Sequence, residues 1–161
     1  MNARFDMMGN ELAAAVGKRF AGMSSVLRRS SLPVATQELV SLRASQINGC
    51  GFCTDMHTKD AAAAGETTQR LHLVASWREA TVFTEAERAA LALAEEGTRI
   101  ADGQGGVSDE TWAEVRRYYD DDQTAALVCL VGLINAANRM NVIVRMPAGF
   151  YEPGMMAELV S

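Results

Sequence analysis

Apolar residues recur every three or four positions along most of the chain. Between Glu11 and about Arg29 the residues Leu12, Val16, Phe20, Met23 and Leu27 form one such stripe. That spacing predicts a helix with one face laid on a neighbour. Pro33 then punctuates, and Pro is tolerated at a helix start because its missing N–H would be unpaired there. A second helix is predicted from about Val34 to Ile47, with Ala35, Leu39 and Leu42 on its buried side and Gln46 interrupting that face. Asn48-Gly49 is expected to end it, since both residues tolerate the left-handed conformation found past helix C-termini. A third helix is expected to begin near Cys50 and run through the alanines at 61–64 to Gly65.

Thr67 or Thr68 can cap a short helix reaching about Arg78. Thr84 with Glu87 reads as a capping box that opens a helix to about Ile100. The segment Asp102-Gly103-Gln104-Gly105-Gly106 predicts a loop, and Ser108 caps the helix after it. The run Asp120-Asp121-Asp122 suits a helix N-terminus, where negative charge meets the positive end of the helix dipole. The last helix, to about Val144, is apolar nearly all round through Leu127, Val128, Cys129, Leu130, Val131, Leu133 and Ile134. A helix of that kind belongs in a core or a subunit interface. No segment carries a convincing strand pattern. The expected architecture is all-α, about seven helices in one domain spanning 1–161, with a loose arm at about 1–10 and an irregular tail at about 146–161.

Composition narrows the function classes. The 161 residues fit one domain, and 48% apolar with 22% charged residues supply enough apolar surface for a core. Fifteen basic against twenty acidic side chains give a net charge of −5, and no basic run exceeds Arg28-Arg29. A nucleic-acid partner is therefore not expected, because it would need a basic face. No apolar stretch is expected to reach the roughly 18–20 residues of a spanning helix, and no signal-peptide pattern opens the chain. The expected compartment is the cytoplasm, with no membrane partner. Stable structural disulfides are rare there, so a close cysteine pair suits redox or metal chemistry better.

Cys50 and Cys53 are that pair, and His57 follows four residues on. Residues three and four apart are neighbours on a helix surface, so all three share one face. At a helix start the unpaired N–H groups favour a thiolate, which lowers a cysteine pKa below its free value of about 8.5. His57 can take or give a proton near neutral pH. Glu38, on the preceding helix, can fold back over His57 and orient its ring, as in a nucleophile–base–orienter set. A zinc site made of Cys50, Cys53, His57 and Glu38 is the competing reading, although zinc usually recruits a second cysteine or histidine pair. Cys129 reads as a small core residue and His72 as a structural one.

At these residues the chain resembles the AhpD-like alkylhydroperoxidases of the carboxymuconolactone decarboxylase superfamily. The family spacing E-x11-C-x2-C-x3-H falls on Glu38, Cys50, Cys53 and His57. The runs Leu42–Cys50, His57–Ala61, Trp77-Arg78-Glu79, Phe83–Ala89 and Ile134–Arg139 are similar as well, so the likeness covers roughly residues 30–145. Gly51 and Phe52 stand between the cysteines, so the histidine that some members carry there is absent.

The resemblance implies an all-helical fold assembled as a homo-oligomer, trimer or hexamer, with no cofactor. It implies a thiol-dependent peroxidase or disulfide oxidoreductase in antioxidant defence, cycling between dithiol and disulfide. It also implies a hydroperoxide substrate, a peroxiredoxin partner, and a lipoyl-bearing or thioredoxin-like electron donor. The expected catalytic residues are Cys50, Cys53, His57 and Glu38. Cys53, beside His57, is favoured as the peroxide-reacting thiol with Cys50 resolving, while the reverse assignment stays open because thioredoxin-type helices use the first cysteine. Two other classes remain: a decarboxylase-type lyase acting on a lactone, and a non-catalytic zinc-binding or assembly protein.

Overall fold

The computed structural model describes residues 2–103 and 105–156. Met1 of the expected arm, Gln104 of the expected loop and residues 157–161 of the expected tail lie outside the described residues. Seven α-helices follow in order: α1 (Glu11–Arg28), α2 (Val34–Ile47), α3 (Gly51–Ala63), α4 (Thr68–Leu73), α5 (Glu85–Thr98), α6 (Asp109–Tyr118) and α7 (Asp121–Val144). Among the described residues there is no strand. The expected helix to Arg78 stops earlier: α4 ends at Leu73 and tightens into a 3-10 turn at Val74–Ser76. The turn leaves Val74 and Trp77 buried, and a three-residue period keeps such a pair on one side.

Caps set the boundaries. The Asn10, Thr67 and Ser108 side chains accept from the backbone N–H three residues on. Thr84 with Glu87 and Asp120 with Gln123 close full capping boxes on α5 and α7. Each satisfies N–H groups that the helix leaves without an internal partner. Gly49 adopts φ +65°, a conformation that costs glycine little, and turns the chain from α2 into α3.

α2 is the central element and is buried on nearly every side. Val40 packs with Leu93, Val115, Leu127 and Leu130. Leu39 and Leu42 pack with Leu71, Trp77, Phe83 and Leu91. Ala44 packs with Cys50, Phe52, Cys53, Ile134 and Tyr151. Burial all round means that the polar residues of α2 must find partners inside. Gln37 donates to the Leu27 and Leu32 carbonyls at 3.0 and 2.8 Å, and Ser45 donates to the Ser41 carbonyl at 2.7 Å. Ala35, expected on the buried side, is exposed because it lies in the first turn of α2, before the helix enters the core.

Further expectations meet the structure on α1 and α7. The α1 stripe does lie against a neighbour, packing on α7 with Leu27 against the core, although no α1 residue is fully buried and Leu12, Val16 and Met23 are exposed. On α7 the apolar surface is divided: Leu127, Leu130, Val131, Leu133 and Ile134 face inward, while Val128, Cys129, Val142 and Ile143 are exposed. Cys129 is therefore a surface thiol and not a core residue, and His72 is also exposed. α7, at 24 residues with a mean hydropathy of 1.7 over its most apolar window, does reach the length and composition of a spanning helix, contrary to the sequence expectation. Its inward face is spent on packing against α2 and α5.

After α7 the chain reverses at Arg145, in the left-handed conformation. Residues 146–156 then fold back over the start of α3. The Tyr151 hydroxyl lies 2.9 Å from both Asp60 carboxylate oxygens, and Lys59 donates to the Tyr151 carbonyl at 2.8 Å. The Gly149 N–H donates to Asp55 at 2.9 Å, and the Phe150 ring sits 5.6 Å from that of Phe52.

Candidate active site

The site forms where α2, the start of α3 and the end of α7 meet. Cys50 is the N-cap of α3, and its sulfur accepts from the Cys53 backbone N–H at 3.4 Å. Both thiols are free and only 1% exposed. They lie 2.7 Å apart, with Cys50 donating to the Cys53 sulfur. A disulfide of about 2.05 Å can therefore form with little movement of the helix body.

Burial by itself would raise both thiols, yet the pair splits. The hydrogen bond from Cys50 lowers the Cys53 thiol most, and Asn141, Asn138 and the charge on His57 add to it, bringing Cys53 down from 9.0 to about 6. Cys50 keeps its proton in that bond, and burial pushes it further up. One sulfur is thus prepared as thiolate and the other as thiol.

His57 lies one turn beyond Cys53. Its Nδ1 is 2.8 Å from Glu38 Oε2, and Arg28 reaches Glu38 Oε1 at 2.6 Å. Burial would raise the Glu38 carboxyl, but the His57 hydrogen bond and charge, together with Arg28, outweigh it and hold Glu38 below its ordinary value. An ionised Glu38 that accepts from Nδ1–H fixes the ring and leaves Nε2 as the nitrogen open to proton exchange. That atom, Nε2, is buried with no hydrogen-bond partner among the described residues. Of the four residues expected from the sequence, Cys50 is thus paired with Cys53 and Glu38 with His57, and the two pairs meet one turn apart on α3. They are not arranged as a ligand set: both Glu38 oxygens are committed, and among the described residues no group of three or more His, Cys, Asp or Glu side chains could hold a metal ion.

The sequence did not disclose three contributors. Arg28 closes the line Arg28–Glu38–His57 from the last turn of α1. The available signal was the short α1–α2 connection at Pro33, which returns the end of one helix beside the start of the next. Asn138 and Asn141 come from α7. Asn48 donates to the side-chain oxygens of Asn135 and Asn138 at 2.9 Å each, and Asn138 donates to Ser45 at 3.1 Å. This amide network ties the α2–α3 turn to α7. Asn141 then reaches the Cys53 sulfur at 3.2 Å. The signal was polar residues at every third position of an otherwise apolar helix.

With the fold and site in view, the class is defined. The carboxymuconolactone decarboxylase family matches residues 14–96, more than half of the chain. The uncharacterized protein YdfG of Bacillus subtilis (strain 168) is 39% identical over 132 residues, covering 82% of this chain and 88% of that protein. The chain belongs to the carboxymuconolactone decarboxylase family, on its AhpD-like side. In structure it is similar to ATU0492 of Agrobacterium tumefaciens, a protein of unknown function considered an AhpD-type candidate for antioxidant defence, with a TM-score of 0.85 and 31% identity over 93% of this chain and all of that one. The debrominase Bmp8 shares the fold at a TM-score of 0.75 and 18% identity, over 93% of this chain and 81% of its own. The same architecture thus carries differing chemistry, and the residues of the site must decide what this chain does.

Proposed function

We propose that this chain is a thiol-dependent peroxidase or disulfide oxidoreductase that cycles Cys50 and Cys53 between dithiol and disulfide. The observation that supports it best is the unequal thiol pair beside the line Arg28–Glu38–His57, which ends in an unpartnered imidazole nitrogen. His57 Nε2 takes the Cys53 proton, directly or through water. The Cys53 thiolate attacks the outer oxygen of a hydroperoxide, an S–O bond forms and the O–O bond breaks. The departing alkoxide takes the proton back and leaves as an alcohol. Sulfur is oxidised by two electrons and the peroxide reduced by two, giving a sulfenic acid. The Cys50 sulfur then attacks it, an S–S bond forms, and the hydroxyl leaves as water.

A dithiol donor restores the pair by thiol–disulfide exchange. A lipoyl-bearing or thioredoxin-like protein has that chemistry, and a peroxiredoxin is a further acceptor on the same cycle. The working form is a homo-oligomer, trimer or hexamer, supported by the apolar residues that α1 and α7 leave exposed.

Mass spectrometry of single cysteine variants after peroxide tests the assignment. Cys50→Ser is expected to retain a sulfenic acid on Cys53, and Cys53→Ser to retain none on Cys50. If neither variant formed a sulfenic acid, the peroxidase reading would fail.

A further inference from the structure

Beyond its first turn α7 is apolar except for Arg139 and a line of asparagines. Asn135, Asn138 and Asn141 stand three apart and so lie along one side of the helix. The first two have structural partners. Asn135 donates to Thr98 and the Val131 carbonyl and accepts from Asn48 and Arg139, and Asn138 joins Asn48 to Ser45. Asn141 is different: its side-chain amide donates to the Cys53 sulfur at 3.2 Å. A polar amide on an apolar helix, directed onto one of two buried sulfurs, needs an acceptor there. A thiolate is a far better acceptor than a neutral thiol.

We propose that Asn141 is a further catalytic residue, whose amide N–H holds the Cys53 sulfur as the thiolate that attacks the oxidant. The attack itself rests on the peroxidase reading; the thiolate contact does not. The donors on Cys53 differ in what happens to them: the Cys50 S–H departs when Cys50 resolves the sulfenic acid, whereas the Asn141 amide belongs to the scaffold and stays. Asn141 therefore supports the reduced state on every turn of the cycle, including thiolate regeneration when a donor opens the disulfide. The other titratable groups around Cys53 are Cys50 and His57 on α3, Glu38 and Arg28 behind His57, and Tyr151 of the tail. Asp55, Lys59 and Asp60 of α3 are engaged with that tail. None of them is a hydrogen-bond partner of the Asn141 side chain.

The test is peptide-resolved alkylation of the reduced full chain across pH, with exposed Cys129 as internal reference. Asn141→Ala removes the donor. The inflection of Cys53 alkylation is expected to rise by about one pH unit, the worth of one hydrogen bond to a charged group. Asn141→Asp keeps the shape but faces the sulfur with a carboxylate, so the inflection rises further. It also covers the case in which Asn141→Ala loses helical structure. A purely structural role would expose Cys53 and speed its alkylation at every pH without moving the inflection. A shift under about half a unit in both variants, with Cys129 unchanged, overturns the proposal. A shifted inflection without sulfenic acid after peroxide upholds Asn141 and removes the peroxidase reading; an unshifted inflection with peroxide oxidation does the reverse.

Discussion

Two cysteines three residues apart are chemically alike until their surroundings separate them. Cys50, as the N-cap, gives its S–H to Cys53 and keeps its proton, while Cys53 collects donors from Cys50 and Asn141. Those donors bring Cys53 down to about 6, so it is the sulfur of the pair that is held as thiolate near neutral pH. Lowering a thiol pKa costs some intrinsic nucleophilicity, so a value near the ambient pH is close to the best compromise. His57 then matters chiefly for proton delivery to the leaving alkoxide. His57→Ala is expected to slow thiol oxidation by peroxide about 100-fold, the ordinary worth of a positioned acid–base group. Stopped-flow measurement of Cys53 oxidation checks this, and a loss under about threefold would remove His57 from the chemistry.

At the scale of elements, the site depends on α2 being buried on nearly every side. That burial forces Glu38 to find partners, and the α1–α2 and α2–α3 turns place Arg28 and His57 within its reach. The tail completes the enclosure. Tyr151 is buried against Phe52 and the dithiol, and its ties to Asp60 and Lys59 hold residues 146–156 over the first turn of α3. Tyr151→Ala removes that plug. Alkylation of Cys53 at fixed pH is expected to rise about tenfold through greater access, with the inflection unmoved. An unchanged rate would mean that oxidant and donor reach the sulfurs by another route.

These elements also mark what was legible in the sequence. The helix starts at Thr84, Ser108 and Asp120 and the turn at Gly49 were readable because caps and left-handed glycines are local chemistry. The shared face of Cys50, Cys53 and His57 was readable for the same reason. Arg28, Asn141 and Tyr151 were not, since each meets the site only after α1, α7 or the tail has packed, and that packing joins residues far apart in the chain. Cys129 was misplaced because an all-round apolar helix does not say which of its sides faces in.

Over the whole molecule, Leu12, Val16 and Met23 of α1 and the outward residues Val128, Val142 and Ile143 of α7 leave apolar surface that a lone chain would expose to water. Contiguous exposed apolar surface marks association sites. Light scattering is expected to return three or six times the 17.4 kDa chain mass; a mass of one chain would contradict the assembly. The amide network and the line from Arg28 through buried Glu38 to His57 hold the site's helices together, so oxidation of the pair is expected to leave the overall helical content unchanged.

The central claim is the dithiol cycle, and its most direct measurement is a thiol count on the reduced chain after one equivalent of peroxide. Three free thiols should fall to one, with Cys50 and Cys53 recovered in a single disulfide-linked peptide pair and Cys129 still free. Recovery of all three thiols after excess peroxide, or a disulfide that includes Cys129, would contradict the account.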